Sequence, residues 1–252
     1  MRLRLIESGK GDAYFNMALD EAIMESVSKG ISPPTLRLYA WNPPAVSIGY
    51  FQRLKKEVNV DVCAEKNISI VRRITGGGAV YHDREITYCF IIKEDSGIVS
   101  KNIIESYEQI CRPLLYALES FGLHPIFAPV NDIIISGKKI SGNAQTRRQG
   151  CILQHGTLLF DASIDNMFSC LNVPVEKSAD KKVADPKDRV TTLRKILGSD
   201  VSEEQLRQNI IAGFKKHFSS EIFKSKASCA EIKRASFLAE NRYKSKSWNL
   251  LR

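Results

Sequence analysis

Residues 76 to 78 are three consecutive glycines, set between two segments, 68–73 and 86–93, whose apolar patterning reads as strand. Regular structure does not run comfortably through such a triplet, because glycine loses the most backbone freedom when it is fixed. The chain is expected to bend here, with main-chain N–H groups converging as a nest for a carboxylate or phosphate. Arg72 and Arg73 stand immediately before the bend and His82 and Asp83 shortly after it, in the run RRITGGGAVYHD. Two familiar phosphate loops are excluded. No lysine follows at the spacing of GxxxxGK[ST], and a GxGxxG begun at Gly76 would need glycine where Tyr81 stands.

Around the bend the pattern predicts many strands: 2–6, 35–41, 45–51, 132–135 and 151–160 besides the two already named. Asn42-Pro43-Pro44 turns the chain between the second and third of these, and Ser136-Gly137-Lys138 turns it after the fourth. Helices are expected at 13–28, capped by Asp12 with Phe15, Ala18, Ala22 and Val27 on its apolar face, and at 102–121, with Ile103, Ile110, Leu114, Leu118 and Phe121. A third starts at Ser202, where Ser-x-x-Gln makes a capping box ahead of Leu206, Ile210, Phe214 and Phe218, and a short one covers about 228–240. The polar stretch 175–190 reads as a mobile loop. Strands crowd the first two thirds and helices the last, which predicts an α+β mixed sheet with flanking helices.

The longest apolar runs are five residues, so no membrane span is expected, and the N-terminus lacks the apolar stretch of a secretory signal. A cytoplasmic protein is the reading. Six cysteines lie scattered at 63, 89, 111, 151, 170 and 229 with no CxxC pair, which suits free thiols better than zinc or disulfides. The net charge is +9, and residues 221–252 hold eight Lys or Arg against three Glu. Such a basic surface suits nucleic acid, ATP or an acidic partner, or is simply a solvated face.

A second chemical signal is NDIIISGKKISGNAQ, 131–145. Asn131 and Asp132 offer oxygens able to hold hydrated Mg²⁺ beside phosphates. Lys139 opens the return strand, and Ser141 and Gly142 beside it leave room for a ligand. His155 follows in QHGTLLFD; a lone strand histidine is more often a satisfied core residue.

Taken together these pieces resemble the lipoate–protein ligase A family. RRITGGGAVYHD is similar to its glycine-rich signature and NDIIISGKKISGNAQ to its lysine motif; NMALDEA, SIGYFQ, HGTLLFD and DRVTTL follow in the family's order. The resemblance covers nearly the whole chain. It implies a catalytic domain related to biotin–protein ligases and class II aminoacyl-tRNA synthetases, a single domain over 1–252 with a mostly helical part from 165 onward. It also implies ATP-dependent activation of lipoate to lipoyl-AMP, with Mg²⁺, and transfer to a lysine of an acceptor: lipoyl domains of 2-oxoacid dehydrogenase complexes, or the glycine cleavage H protein.

By the same resemblance, Lys139 is the catalytic lysine between carboxyl group and α-phosphate, and Arg72 sits at the nucleotide. Gly76, Gly77, Gly78, Ala79, Val80, His82 and Gly142 line the adenylate. Asn131 and Asp132 lie near the phosphates, Asp132 holding Mg²⁺ through them. The chain looks like a short form whose further domain is supplied by a separate accessory subunit; nucleic acid is not an expected partner.

Acyltransferases of the same fold move octanoyl groups from acyl carrier protein without ATP, using a cysteine thiolate. LRLYAWNPPAVSIGYFQ and SGNAQTRRQGCILQHG resemble one such branch. In one branch the cysteine precedes the strand that starts here at Asn131, and 124–130 holds none. In the other it lies about eighteen residues beyond the His-Gly pair. That count from Gly156 reaches Pro174, with Cys170 four residues short. The ATP-dependent ligase is therefore the expected activity, with the octanoyl or lipoyl transferase as the alternative.

Overall fold

The computed structural model describes residues 1–172 and 185–252. Strand β1 (Arg2–Gly11) leads into helix α1 (Ala13–Ser28), whose first N–H groups, on Tyr14 and Phe15, donate to the Asp12 carboxylate as expected of an N-cap. Then follow β2 (Thr35–Trp41), β3 (Ala45–Ile48), α2 (Leu54–Glu57), α3 (Val60–Glu65), β4 (Ser69–Arg72), β5 (Val80–His82) and β6 (Glu85–Lys93). Helix α4 (Ile103–Glu119) precedes β7 (Ile126–Ala128), β8 (Asp132–Ile135), β9 (Lys138–Arg148), β10 (Cys151–Leu159) and α5 (Ile164–Cys170). The chain continues through α6 (Leu193–Leu197), α7 (Glu203–His217), β11 (Glu221–Lys224), α8 (Cys229–Leu238) and α9 (Lys246–Asn249).

Eight strands form one mixed sheet in the order β11-β1-β2-β6-β10-β9-β8-β7, parallel only where β1 meets β11 and β2. A small second sheet, β4-β3-β5, stands beside it. Successive residues of a strand face opposite ways, and β6 shows what that does. Phe90 and Ile92 join α4 and α7 in one apolar core, while Cys89 and Ile91 join α1 and α8 in another. The fold is α+β, helices on both faces of a mixed sheet, as the strand and helix pattern predicts.

Helix α1 is buried almost all round. Met17, Leu19, Ile23 and Met24 are covered as well as Ala18, Ala22 and Val27 of the expected stripe, while Phe15 is only half-buried. The reason is its acids. Asp20 pairs with Arg37 of β2 at 2.7 Å, Glu21 with Arg242 and Tyr243, and Glu25 with Arg234 of α8. Ion pairs to elements on both sides let a charged helix be sandwiched rather than solvated.

The capping box at Ser202 and Gln205 is formed, and Leu206, Ile210 and Phe214 are buried behind it. Ile103, expected on the α4 core face, is exposed at the helix start. Strand β11 was not expected. Its four residues show no readable alternation, and it is fixed only by lying along β1. Of the expected loop 175–190, residues 175–184 lie outside the described residues, and Pro186–Arg189 form a 3-10 turn. Among the described residues no helix is long and apolar enough to cross a membrane.

Helices α4 and α7 cross where Gly213 meets the backbone of Pro113; a Cβ on Gly213 would stand 2.2 Å from the Pro113 carbonyl oxygen. Gly213→Ala should therefore lower unfolding free energy by about 1–3 kcal/mol through overpacking, measured by denaturant titration, with the sheet and its cleft intact.

Candidate active site

The hairpin of β8 and β9 delivers Lys139. Pairing runs Ile133 with Ser141 but Ile134 with Lys139, leaving Ile140 as an extra residue. Such a bulge re-aims the side chains beside it. The Lys139 side chain lies over Gly142, where a Cβ would come within 2.9 Å of Cε and 3.0 Å of Nζ. Asp132, directly opposite Gly142 in the register, holds the ammonium at 2.7 Å. From the other side, the Thr191 N–H donates to the Lys139 carbonyl at 2.9 Å, so DRVTTL steadies its backbone. Both partners of the ion pair are partly exposed, so its contribution is orientation more than stability.

Two cavities meet at this lysine. The inner one is walled by Met17, Trp41, Ala79, Val80, Ala144 and polar neighbours including Arg73, His82, Asn143 and His155. The outer and larger one is walled by Tyr81, Leu159, Met167, Phe168, Leu171 and Val190 among others. Ala79, Val80, Lys139, Gly142 and Thr157 belong to both. Gly78 at the end of the glycine bend and the lysine hairpin thus border one continuous cleft.

The polar groups of the inner wall are bonded to one another. Arg37 and Tyr39 donate to Asp20, as does Nδ1 of His155 at 3.2 Å. The Thr75 hydroxyl donates to His155 Nε2 at 2.8 Å and accepts from Arg73 Nε at 3.0 Å. Arg73 then donates to the carbonyls of Gly76 and Gly78, both at 2.7 Å. His82 is held by Ser47 and Glu85, each at 2.7 Å, and stacks on Trp41. Asn143 accepts from Tyr88 and donates to the Asn131 carbonyl. With its polar atoms turned to each other, the inner cavity offers a ligand an apolar surface.

Burial opposes the charge on Asp20, but Arg37 and His155 outweigh it and hold the carboxyl below its usual range. Burial lowers the His155 pKa despite Asp20, so the ring is neutral, which suits its role as donor on one side and acceptor on the other. Burial lowers Arg73 to about 10, leaving it a cation at neutral pH.

Gly78, Ala79, Val80, His82, Asn131, Lys139 and Gly142 all line the cleft. Arg72 does not. Its guanidinium donates to the carbonyls of Gly49, Tyr50 and Gln52, and to Trp248 and Asn249 of α9, so it clamps the C-terminal turn instead of meeting a nucleotide. The arginine at the cleft is its neighbour, Arg73, which sequence reasoning passed over. The glycine bend is likewise not an open nest. Of the three only Gly77 has positive φ, and the carbonyls of Gly76 and Gly78 wrap Arg73. Gly76 and Gly77 lie behind the wall, Gly77 packed so closely on Gly49 that a Cβ there would be 2.2 Å from its oxygen. Asp132 holds the Lys139 ammonium at 2.7 Å and belongs to no three-residue cluster of metal-ligand groups among the described residues. The one three-residue cluster with metal-ligand spacing among the described residues, Asp20, Cys89 and His155, is buried and tied to Arg37 and Tyr39.

Residues 12–215 match the lipoyl protein ligase A/B catalytic domain family. The octanoyltransferase LipM of Kyrpidia tusciae is 35% identical over 98% of this chain and 97% of its own. That of Halalkalibacterium halodurans is 32% identical over 98% of both. Among solved structures, a bipartite lipoate protein ligase from Thermoplasma acidophilum, described with its E2 lipoyl domain, is 31% identical with a TM-score of 0.86, covering 100% of this chain and 97% of that one. The full-length relatives overturn the expectation of an ATP-dependent ligase: curated proteins at 31–35% identity over nearly the whole chain are named octanoyltransferases.

Two expectations follow. Gly142→Ala should fold, because the atoms it meets are the far end of a flexible side chain, yet displace the Lys139 ammonium and cut turnover about 10²-fold, measured by initial rates beside a thermal melt. Acidification should also destabilise the protein. His155 is neutral when folded but protonates near 6.5 when unfolded, so its share is lost as pH falls through and below that value. Asp20 adds a further loss as pH falls below 3.8 toward its lowered folded value. Melting temperatures of wild type and His155→Gln between about pH 7.5 and pH 5 should show the variant with the shallower slope.

Proposed function

Since the chain belongs to the lipoyl protein ligase A/B catalytic domain family, we propose that it moves an octanoyl group from a thioester carrier to a lysine of a lipoyl-domain protein, without ATP. The observation that carries this reading is the junction of the two cavities at Lys139. An apolar acyl tail suits the inner cavity, whose polar atoms are already bonded. The outer one has room for the carrier's arm and the incoming lysine. The thioester carbonyl would then lie beside the Lys139 ammonium. Attack on that carbonyl puts negative charge on its oxygen, and a fixed cation there stabilises the transition state more than the ground state. Asp132 keeps the ammonium aimed. The names of the full-length relatives support octanoyl as the cargo, and the lipoyl domain named with the archaeal neighbour supports the class of acceptor.

The test is transfer in a mixture of the purified chain, octanoyl-loaded acyl carrier protein and a lipoyl domain, with no nucleotide. The acceptor should gain one octanoyl amide by mass spectrometry. Transfer that appears only when ATP and a free acid are supplied rejects the reading. Lys139→Ala should slow transfer about 10²–10³-fold with an unchanged melting temperature.

A further inference from the structure

The short segment from β3 into α2 exposes an aromatic ring among unpaired cations. Phe51 is 67% exposed, and Arg53, Lys55 and Lys56 are exposed beside it. Among the described residues none of these three cations has an acid partner. From Trp41 to Lys56 the chain holds no Asp or Glu, and neither does 143–150. The first acids beyond the ridge are Glu57, half-buried at the end of α2, and Asp61. The ring is not a loose surface side chain. It stands edge-on to Tyr50 at 5.0 Å, and Tyr50 rests against Trp248 of α9 at 5.7 Å. Arg148, from the end of β9, lies over the Tyr50 ring at 4.9 Å. The backbone beneath is pinned as well: Arg72 donates to the carbonyls of Gly49, Tyr50 and Gln52, and the Tyr50 N–H donates to the Thr75 carbonyl. A side chain held this way loses little freedom when a partner covers it.

This ridge adjoins the outer cavity. The carbonyls of Lys55 and Glu57 accept from the side chain and the N–H of Asn172, at 3.4 and 2.9 Å. Val58 bridges to Leu171, which lines that cavity. Phe51, Arg53, Lys55 and Lys56 themselves line neither cavity. A partner seated on them must therefore reach Lys139 from beyond the rim. An acceptor's lysine is a short side chain, which needs its own domain over the cleft. A carrier that holds its thioester on a long flexible arm does not. We propose that Phe51, Arg53, Lys55 and Lys56 dock an acidic surface of the thioester carrier, whose arm passes Leu171 into the outer cavity. This rests on the transferase reading above and gives its donor a seat. Opposite charges steer the encounter and set its orientation, and the Phe51 ring supplies the dry contact that holds it.

The test compares wild type, Phe51→Ala and the triple variant Arg53→Glu, Lys55→Glu, Lys56→Glu. Binding of octanoyl-loaded acyl carrier protein to the whole chain is read by fluorescence anisotropy, and transfer by initial rates. Both variants should melt with wild type, since all four side chains are exposed. At low salt each should weaken carrier binding and raise the carrier's KM about tenfold or more. Added salt should weaken wild-type binding much more than that of the triple variant. The KM for the lipoyl domain should not move, and transfer from octanoyl-pantetheine, an arm with no protein on it, should match wild type. Carrier binding within about twofold of wild type in both variants overturns the proposal. So does a rise in the lipoyl-domain KM alone, which gives the ridge to the acceptor, or an equal loss with octanoyl-pantetheine, which places the effect in the cleft. Binding is read apart from turnover. A wild-type chain that holds the carrier on this ridge yet moves no octanoyl sinks the transferase reading and leaves the docking surface standing.

Discussion

The buried pair of Arg37 and Asp20 is where the architecture and the cleft are joined. From it a line of hydrogen bonds runs through His155, Thr75 and Arg73 to the carbonyls of the glycine bend. Arg73 donates both to the glycine carbonyls and to Thr75, Thr75 passes the direction on through His155 to Asp20, and Asp20 accepts from Arg37 on its other side. Removing one partner of a buried pair leaves a charge with nothing to answer it, which typically costs about 3–5 kcal/mol. In this chain the loss would not stay local. Helix α1, the middle of the sheet and the wall of the inner cavity all hold their positions through the same five side chains. Asp20 lies within NMALDEA and His155 within HGTLLFD, so two segments far apart in the chain serve one structural task.

Much of the fold was legible because its signals are local. An Asp just before an apolar run caps α1, and Ser202 with Gln205 starts α7, since caps satisfy backbone groups within three residues. Lys139 and the glycine bend were legible as chemistry, and Gly78 of that bend lies in the wall of the cleft that Lys139 lines. The roles of Arg72 and Arg73 were not. Adjacent residues at the end of a strand turn opposite ways, so one arginine enters the C-terminal clamp and its neighbour the cleft; which does which depends on the register of β3 with β4. Strand β11 escaped notice for a related reason, because only β1 makes it a strand. The ligase activity was expected because the cysteines stand away from the transferase positions; the full-length relatives overturn that expectation.

The closed hydrogen bonding of the inner wall bears on selectivity. Carrier proteins present acyl chains of equal length that differ only by a hydroxyl, a keto group or a terminal carboxylate. Inside this cavity such a group would find the histidines, Arg73 and Asn143 already engaged, and burying it without a partner costs roughly 2–7 kcal/mol for a neutral group and more for a charged one. A saturated hydrocarbon tail meets no such penalty. On the transferase reading, the fold would thus favour fully reduced chains over half-processed ones, since an extra oxygen away from Lys139 would meet wall groups already bonded to one another.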